Sequence, residues 1–203
     1  FERADFLLVL TQLRAGKLDA ALNAAQALVS KHPDAAQAHN LLGAVFETRK
    51  DLVAARKAYQ QSATLAPKGR SGLLNIARMD LLAGDHEASG RGFQSVLDGY
   101  PRETTALLGL ARIASDAGAT EQSLELLERA RTQNPTAVRP RLILATYYLR
   151  RGVASKALQA AEEALAQASD SPAVLTVLGQ AQLANQRAAD AMKTFNTLVK
   201  AVP

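Results

Sequence analysis

The 203-residue chain contains no cysteine. That excludes disulfides, thiolate nucleophiles and cysteine-bound metals, and it fits oxidising and reducing compartments equally. Tryptophan is also absent and aromatics make up only 4% of residues, which leaves little material for a sheet-rich core or for stacking bases. The three histidines, His32, His39 and His86, fall in no triad spacing, and no third ligand accompanies the pair around Pro33. Neither nucleophilic catalysis nor a metal site is expected, and without a Gly-rich phosphate loop no cofactor is expected. The longest uncharged run, Ser171 to Gln186, carries Pro, Thr, Gly and Gln and is too short and polar to cross a bilayer. A net charge of +5 gives mild attraction for anions, yet no Lys/Arg cluster resembles a nucleic-acid arm, so no nucleic-acid partner is expected. The opening residue is Phe1 and no signal pattern follows, which reads as a piece of a longer protein.

What is abundant is aliphatic: about half the residues are apolar, enough for a core, and Ala and Leu favour helix-on-helix packing. The chain also repeats itself. Pro33, Pro67, Pro101 and Pro135 stand 34 residues apart, and two further steps lead through Ser169 to Pro203. The same step joins Gly16, Lys50, Gly84, Gly118, Gly152 and Gln186, and again Ala21, Ala55, Ser89, Ser123, Ala157 and Ala191. A period of this length marks stacked supersecondary units. Six copies fill the chain: 2–35, 36–69, 70–103, 104–137, 138–171 and 172–203.

Each copy has one amphipathic segment before its Gly position and one after it, which predicts a helical hairpin. Gly closes the first helix because it tolerates positive φ, and Pro ends the second because it lacks an N–H. Asp51, Asp85 and Thr120 stand where second helices need an N-cap; Asp34, and Asp170 or Ser171, stand before first helices. Pro172 suits a first helical position. Pro140 is expected to delay its helix to Arg139 or Pro140. Gly90 and Gly92, inside a second helix, predict close packing or a bend. Tyr59, Phe93, Leu127 and Phe195 share one repeat position and are expected in the core. Glu162 and Glu163 are expected on a solvated face.

These residues resemble the tetratricopeptide repeat (TPR) family. Its pattern of Leu-Gly, Ala, aromatic and Pro is clearest in Leu42-Gly43, Phe46, Ala55, Tyr59 and Pro67, and again in Leu178-Gly179, Ala191, Phe195 and Pro203. The resemblance implies an all-α fold, a right-handed α-solenoid superhelix of six helix-turn-helix repeats forming a single domain over 1–203. First helices then line a concave groove, and positions two, five, six, nine, twelve and thirteen face it. Those positions hold Arg3, Arg14, Arg78, Arg112, Arg139 and Arg150 against Glu47 and Asp116, a surplus of four positive charges. All six cations are Arg, which suits bidentate recognition of carboxylate, phosphate or sulfate. The candidate partner-binding residues are Asn40, Asn75, Arg78, Arg112, Arg139, Thr146 and Arg150, with Arg78 and Arg112 expected on adjacent rungs. Surface Arg residues are also commonly idle, their stems covering apolar neighbours.

The segments "LLGLARIASDAGATEQSLELLERARTQNP", "PRLILATYYLRRG" and "VLTVLGQAQLANQRAADAMKTFNTLVKAVP" are similar to bacterial TPR lipoproteins of PEP-CTERM sorting and exopolysaccharide systems. That likeness implies an envelope location, on the periplasmic side of the outer membrane, with the lipid anchor outside this sequence; a cytoplasmic location is the alternative. The expected function is a non-enzymatic scaffold that binds an acidic or amphipathic protein segment. The alternative is guidance of an anionic polysaccharide during export.

Overall fold

A computed structural model describes residues 3–201, and among these the chain is all helical. The residues form two compact units that divide between Pro101 and Arg102. The first unit holds α1 (Arg3–Arg14), α2 (Leu18–Lys31), α3 (Ala36–Thr48), α4 (Leu52–Leu65), α5 (Arg70–Leu82) and α6 (His86–Gly99). The second holds α7 (Thr104–Asp116), α8 (Thr120–Gln133), α9 (Val138–Arg150), α10 (Ala154–Leu165), α11 (Pro172–Ala184) and α12 (Ala188–Ala201). Within each unit every helix packs on the next, giving three stacked hairpins. In the first unit α1, α3 and α5 also touch in series, as α9 and α11 do in the second. The first helices α1, α3 and α5 therefore lie side by side in the first unit, and α9 and α11 in the second. Pro203, a repeat position in the sequence, lies outside the described residues.

The hairpin turn repeats in detail. Gly16, Lys50, Gly84, Gly118, Gly152 and Gln186 all have positive φ, from 61° at Gln186 to 81° at Gly84. Around Lys50 its own N–H bonds Glu47 O and the next N–H, of Asp51, bonds Phe46 O; the same pair of bonds recurs at the other five turns. This double bond to the last carbonyls closes each first helix.

Small residues let the paired helices meet. A Cβ added at Gly43 would lie 2.6 Å from the Tyr59 ring, and one at Gly179 would lie 2.5 Å from Phe195. Tyr59, Phe93 and Leu127 are buried, as expected, and Phe195 is half-buried. At Gly92 an added Cβ would stand 2.8 Å from Ala77 Cβ, so close packing explains that glycine. Where the Ala ladder carries serine, the hydroxyl turns inward: Ser89 Oγ donates to Ala77 O and Ser123 Oγ to Ala111 O, both at 2.8 Å.

The caps depart from expectation. Asp51 and Asp85 accept from Ala54 N and Ala88 N as predicted. Thr120 does not cap, because α8 begins at Thr120 and Ala119 takes the boundary position. Asp34 is likewise displaced by Ala35, and Ser171 occupies its cap position without a side-chain bond. Glu103 caps α7 by accepting from Thr105 N. Pro172 opens α11 as predicted. Pro140 does not delay α9, which starts at Val138; in the first turn the missing N–H has no intrahelical partner to lose.

Candidate functional site

On the first-helix face of the first unit, α3 and α5 bring Asn40, Asn75, Arg78 and Glu47 into one connected row. Asn75 Nδ2 donates to Asn40 Oδ1 at 2.9 Å, and Arg78 Nη2 reaches Asn75 Oδ1 at 3.4 Å. Arg78 spends its fork on Glu47, with Nη1 at 2.6 Å from Oε1 and Nη2 at 2.5 Å from Oε2. Behind them Tyr59 donates its hydroxyl to Glu47 Oε2 at 2.9 Å. The Arg78 hydrogen bond holds the Glu47 carboxyl below its ordinary range despite partial burial. Glu47 in turn raises the Arg78 pKa, while burial and then Glu47 push the Tyr59 phenol upward. Bidentate pairing of this kind is stronger and more specific than a single contact. Arg78 is thus a compensated cation.

The second unit distributes its cations differently. Arg112 binds Asp116 on its own helix, with Nε 2.9 and 2.8 Å from the two carboxylate oxygens. The Arg112 side chain stays 68% exposed, so the pair is a weak one. Thr146 turns its hydroxyl to Leu142 O at 2.9 Å and offers a ligand little. Arg139 and Arg150 are exposed, and neither makes an ion pair with another described residue. They sit eleven residues apart on α9, about three turns or 16 Å, and so share a face. Half-buried Leu142, Ile143 and Thr146 lie between them on that face.

A second polar cluster joins α8, α9 and α10 in this unit and was not foreseen. Glu163, expected on a solvated face, is half-buried and receives Arg131 Nη1 at 3.0 Å on both oxygens. Arg131 also binds Glu128 at 2.7 Å, and these carboxylates raise its pKa. Buried Arg141 places Nε 3.4 Å from Glu163 and donates through Nη1 to Ala137 O at 2.7 Å. Glu128, Arg131 and Glu163 of this cluster, with Tyr148, Lys156 and Gln159, border a cleft of about 190 Å³. The available signal was the pairing of charges about one repeat apart on successive second helices, Arg131 and Glu163. Among the described residues no group of three or more His, Asp or Glu side chains could hold a metal ion, and no helix is long and apolar enough to cross a membrane.

Family models described as tetratricopeptide repeat match residues 6–70, 75–138 and 148–203. No curated protein sequence matches the chain. Among solved structures, Pseudomonas aeruginosa PilF is 17% identical with a TM-score of 0.76, covering 98% of this chain and 91% of its own. PilW, described as a widely conserved type IV pilus biogenesis factor, is 15% identical with a TM-score of 0.73, covering 98% and 93%. MamA from Desulfovibrio magneticus is 16% identical with a TM-score of 0.61, covering 82% and 94%. At these identities the likeness is one of fold.

Proposed function

The chain belongs to the tetratricopeptide repeat family, whose folds serve as protein-interaction scaffolds, and we propose that it is a non-enzymatic scaffold binding an acidic segment along α9. The observation that carries this reading is the exposed pair Arg139 and Arg150 on one face of a first helix, uncompensated by described carboxylates while Arg78 and Arg112 have theirs. Two uncompensated Arg residues whose backbone positions are about 16 Å apart along the helix axis, with aliphatic surface between, suit two acidic residues flanking apolar ones. An extended segment spans that distance in about five residues, and a helix in about eleven. Asn40 and Asn75 form a separate polar row on the first unit. We place the scaffold in a bacterial envelope export or sorting system, a reading supported by the resemblance of its repeat segments to envelope TPR lipoproteins.

The test is a titration with a peptide carrying two glutamates four or five residues apart around leucines, at low and high salt. Arg139→Glu with Arg150→Glu is expected to abolish salt-sensitive binding, and Arg78→Gln to leave it within about twofold. Equal binding by wild type and the Arg139/Arg150 double variant overturns the reading. Binding of an anionic polysaccharide but not of the peptide, lost in the same variant, transfers the site to carbohydrate.

A further inference from the structure

We propose that the cleft bordered by α8, α9 and α10 is a binding site for a small monocarboxylic acid, with Lys156 and Arg131 as the groups that hold the carboxylate. The cleft stands where the repeat does not call for charge. At the position of Arg131 every other repeat carries an apolar residue, Val29, Ala63, Leu97, Leu165 or Val199, and at the position of Arg141 three of them carry Leu73, Leu107 and Leu175. Ionic groups at packed positions rarely stabilise a fold more than the aliphatic residues that could replace them. Leucine would serve the stack of hairpins as well, so the charges call for a reason outside packing.

Shape and charge together define the occupant. Leu144, Tyr148 and Ala160 are buried and give the cleft an apolar floor. Its volume of about 190 Å³ is close to the roughly 150 Å³ that takes benzene and well below a drug-sized pocket, so it admits one compact apolar group. Around that floor Arg131, Arg141 and Lys156 set three positive charges against the two negative charges of Glu128 and Glu163. One negative charge completes the balance. Lys156 is the unspent cation: its ammonium lies 5.5 Å from the centroid of the Tyr148 ring and makes no ion pair with another described residue. Arg131 uses Nε on Glu128 and Nη1 on Glu163, which leaves Nη2 available.

The carboxylates of the cleft already have their donors. Glu128 receives Arg131 and the Tyr148 hydroxyl, and Glu163 receives Arg131 and Gln159. Behind them Arg141 is only 7% exposed, and its buried Nε makes no hydrogen bond although Glu163 stands 3.4 Å away. A ligand carboxylate that draws Arg131 toward itself frees Glu163 to close on that N–H, so the site holds a donor in reserve. Tyr148 lies nine residues beyond Arg139 on α9, about two and a half turns, which turns the cleft away from the Arg139 and Arg150 face.

The experiment is a titration of the chain with isocaproate, followed by NMR of backbone amide and Arg Nε–H groups, with the neutral isocaproamide as control. Isocaproate is expected to shift signals of α8, α9 and α10 around the cleft together with the Arg141 Nε–H, and the amide to shift neither. Lys156→Gln, at an exposed residue, is expected to keep its helicity and to bind at least about tenfold more weakly, whereas Lys156→Arg stays within about threefold of wild type. Arg139→Glu with Arg150→Glu is expected to leave binding unchanged, which separates this site from the acidic-segment face. An N-acetylated peptide ending in leucine presents the same chemistry at a chain end. Its binding beside isocaproate makes protein C-termini a source of the ligand, and its failure restricts the source to free acids. Equal binding of acid and amide overturns the proposal, as does an isocaproate titration that leaves the cleft or the Arg141 Nε–H unmoved, full binding by Lys156→Gln, or binding lost in the Arg139/Arg150 double variant.

Discussion

The guanidinium of Arg78 lies across the carboxylate of Glu47, joining the first helices of two successive repeats through two hydrogen bonds of 2.6 and 2.5 Å. Glu47 also receives the Tyr59 hydroxyl from the second helix of its own repeat. One carboxylate therefore holds three helices together in the first unit, α3, α4 and α5.

Glu47→Gln is expected to destabilise the chain by about 1–2 kcal/mol at neutral pH, a figure discounted for the solvent that reaches both partners. Because Glu47 has a depressed pKa in the folded state, its contribution is full above the ordinary glutamate value and falls away as pH drops through the folded value. Urea unfolding at pH 7 and at about pH 3 checks this: the gap between wild type and variant should narrow at the acid pH. A gap that is unchanged, or that widens in acid, removes the ion pair as its cause.

The left-handed turn residues allow a stabilising change. Lys50 and Gln186 hold φ of 68° and 61° where the other four turns carry glycine. Lys50→Gly and Gln186→Gly should each raise stability by about 0.5–1 kcal/mol, since the relief of backbone strain exceeds the added unfolded-state entropy. Gly84→Ala should lower it by a similar amount. Thermal denaturation of the three variants tests the sign.

Two other glycines separate crowding from conformation. Gly43→Ala drives a methyl into the Tyr59 ring and should cost about 1–3 kcal/mol. At Gly99, on the last turn of α6, an added Cβ meets nothing within 4 Å; Gly99→Ala should be neutral or stabilising by up to about 1 kcal/mol. Chemical denaturation midpoints that rank the two alike would contradict the packing described here.

Capping offers a third contrast. Asp85→Ala removes an acceptor from Ala88 N and should cost about 1 kcal/mol. Thr120→Ala, at the equivalent edge of α8 but inside the helix, should cost less than half as much. The comparison needs only equilibrium unfolding of the two variants.

The sequence by itself determined the repeat and the hairpin. A period of 34 residues in Pro, Gly and Ala placed six turns, and the turns at Lys50 and Gln186 formed with the same backbone bonds as those with glycine. Those features depend on neighbours close in the chain, where spacing and residue type specify the geometry. Caps were legible only where an aspartate fell on the boundary residue itself; Thr120 and Asp34 missed it by one position, and helix ends are sensitive to such steps.

Tertiary structure alone decided which charged groups are engaged. Arg78 and Glu47 are 31 residues apart, three short of the period, so the pair runs diagonally between adjacent first helices. Arg131 and Glu163 pair between second helices in the same way, at a separation of 32. The period assigns each residue a face but not the reach of a long side chain. Whether a cation is neutralised by a neighbour or left to a ligand depends on rotamers and on the offset between packed helices, and these are set when the hairpins stack.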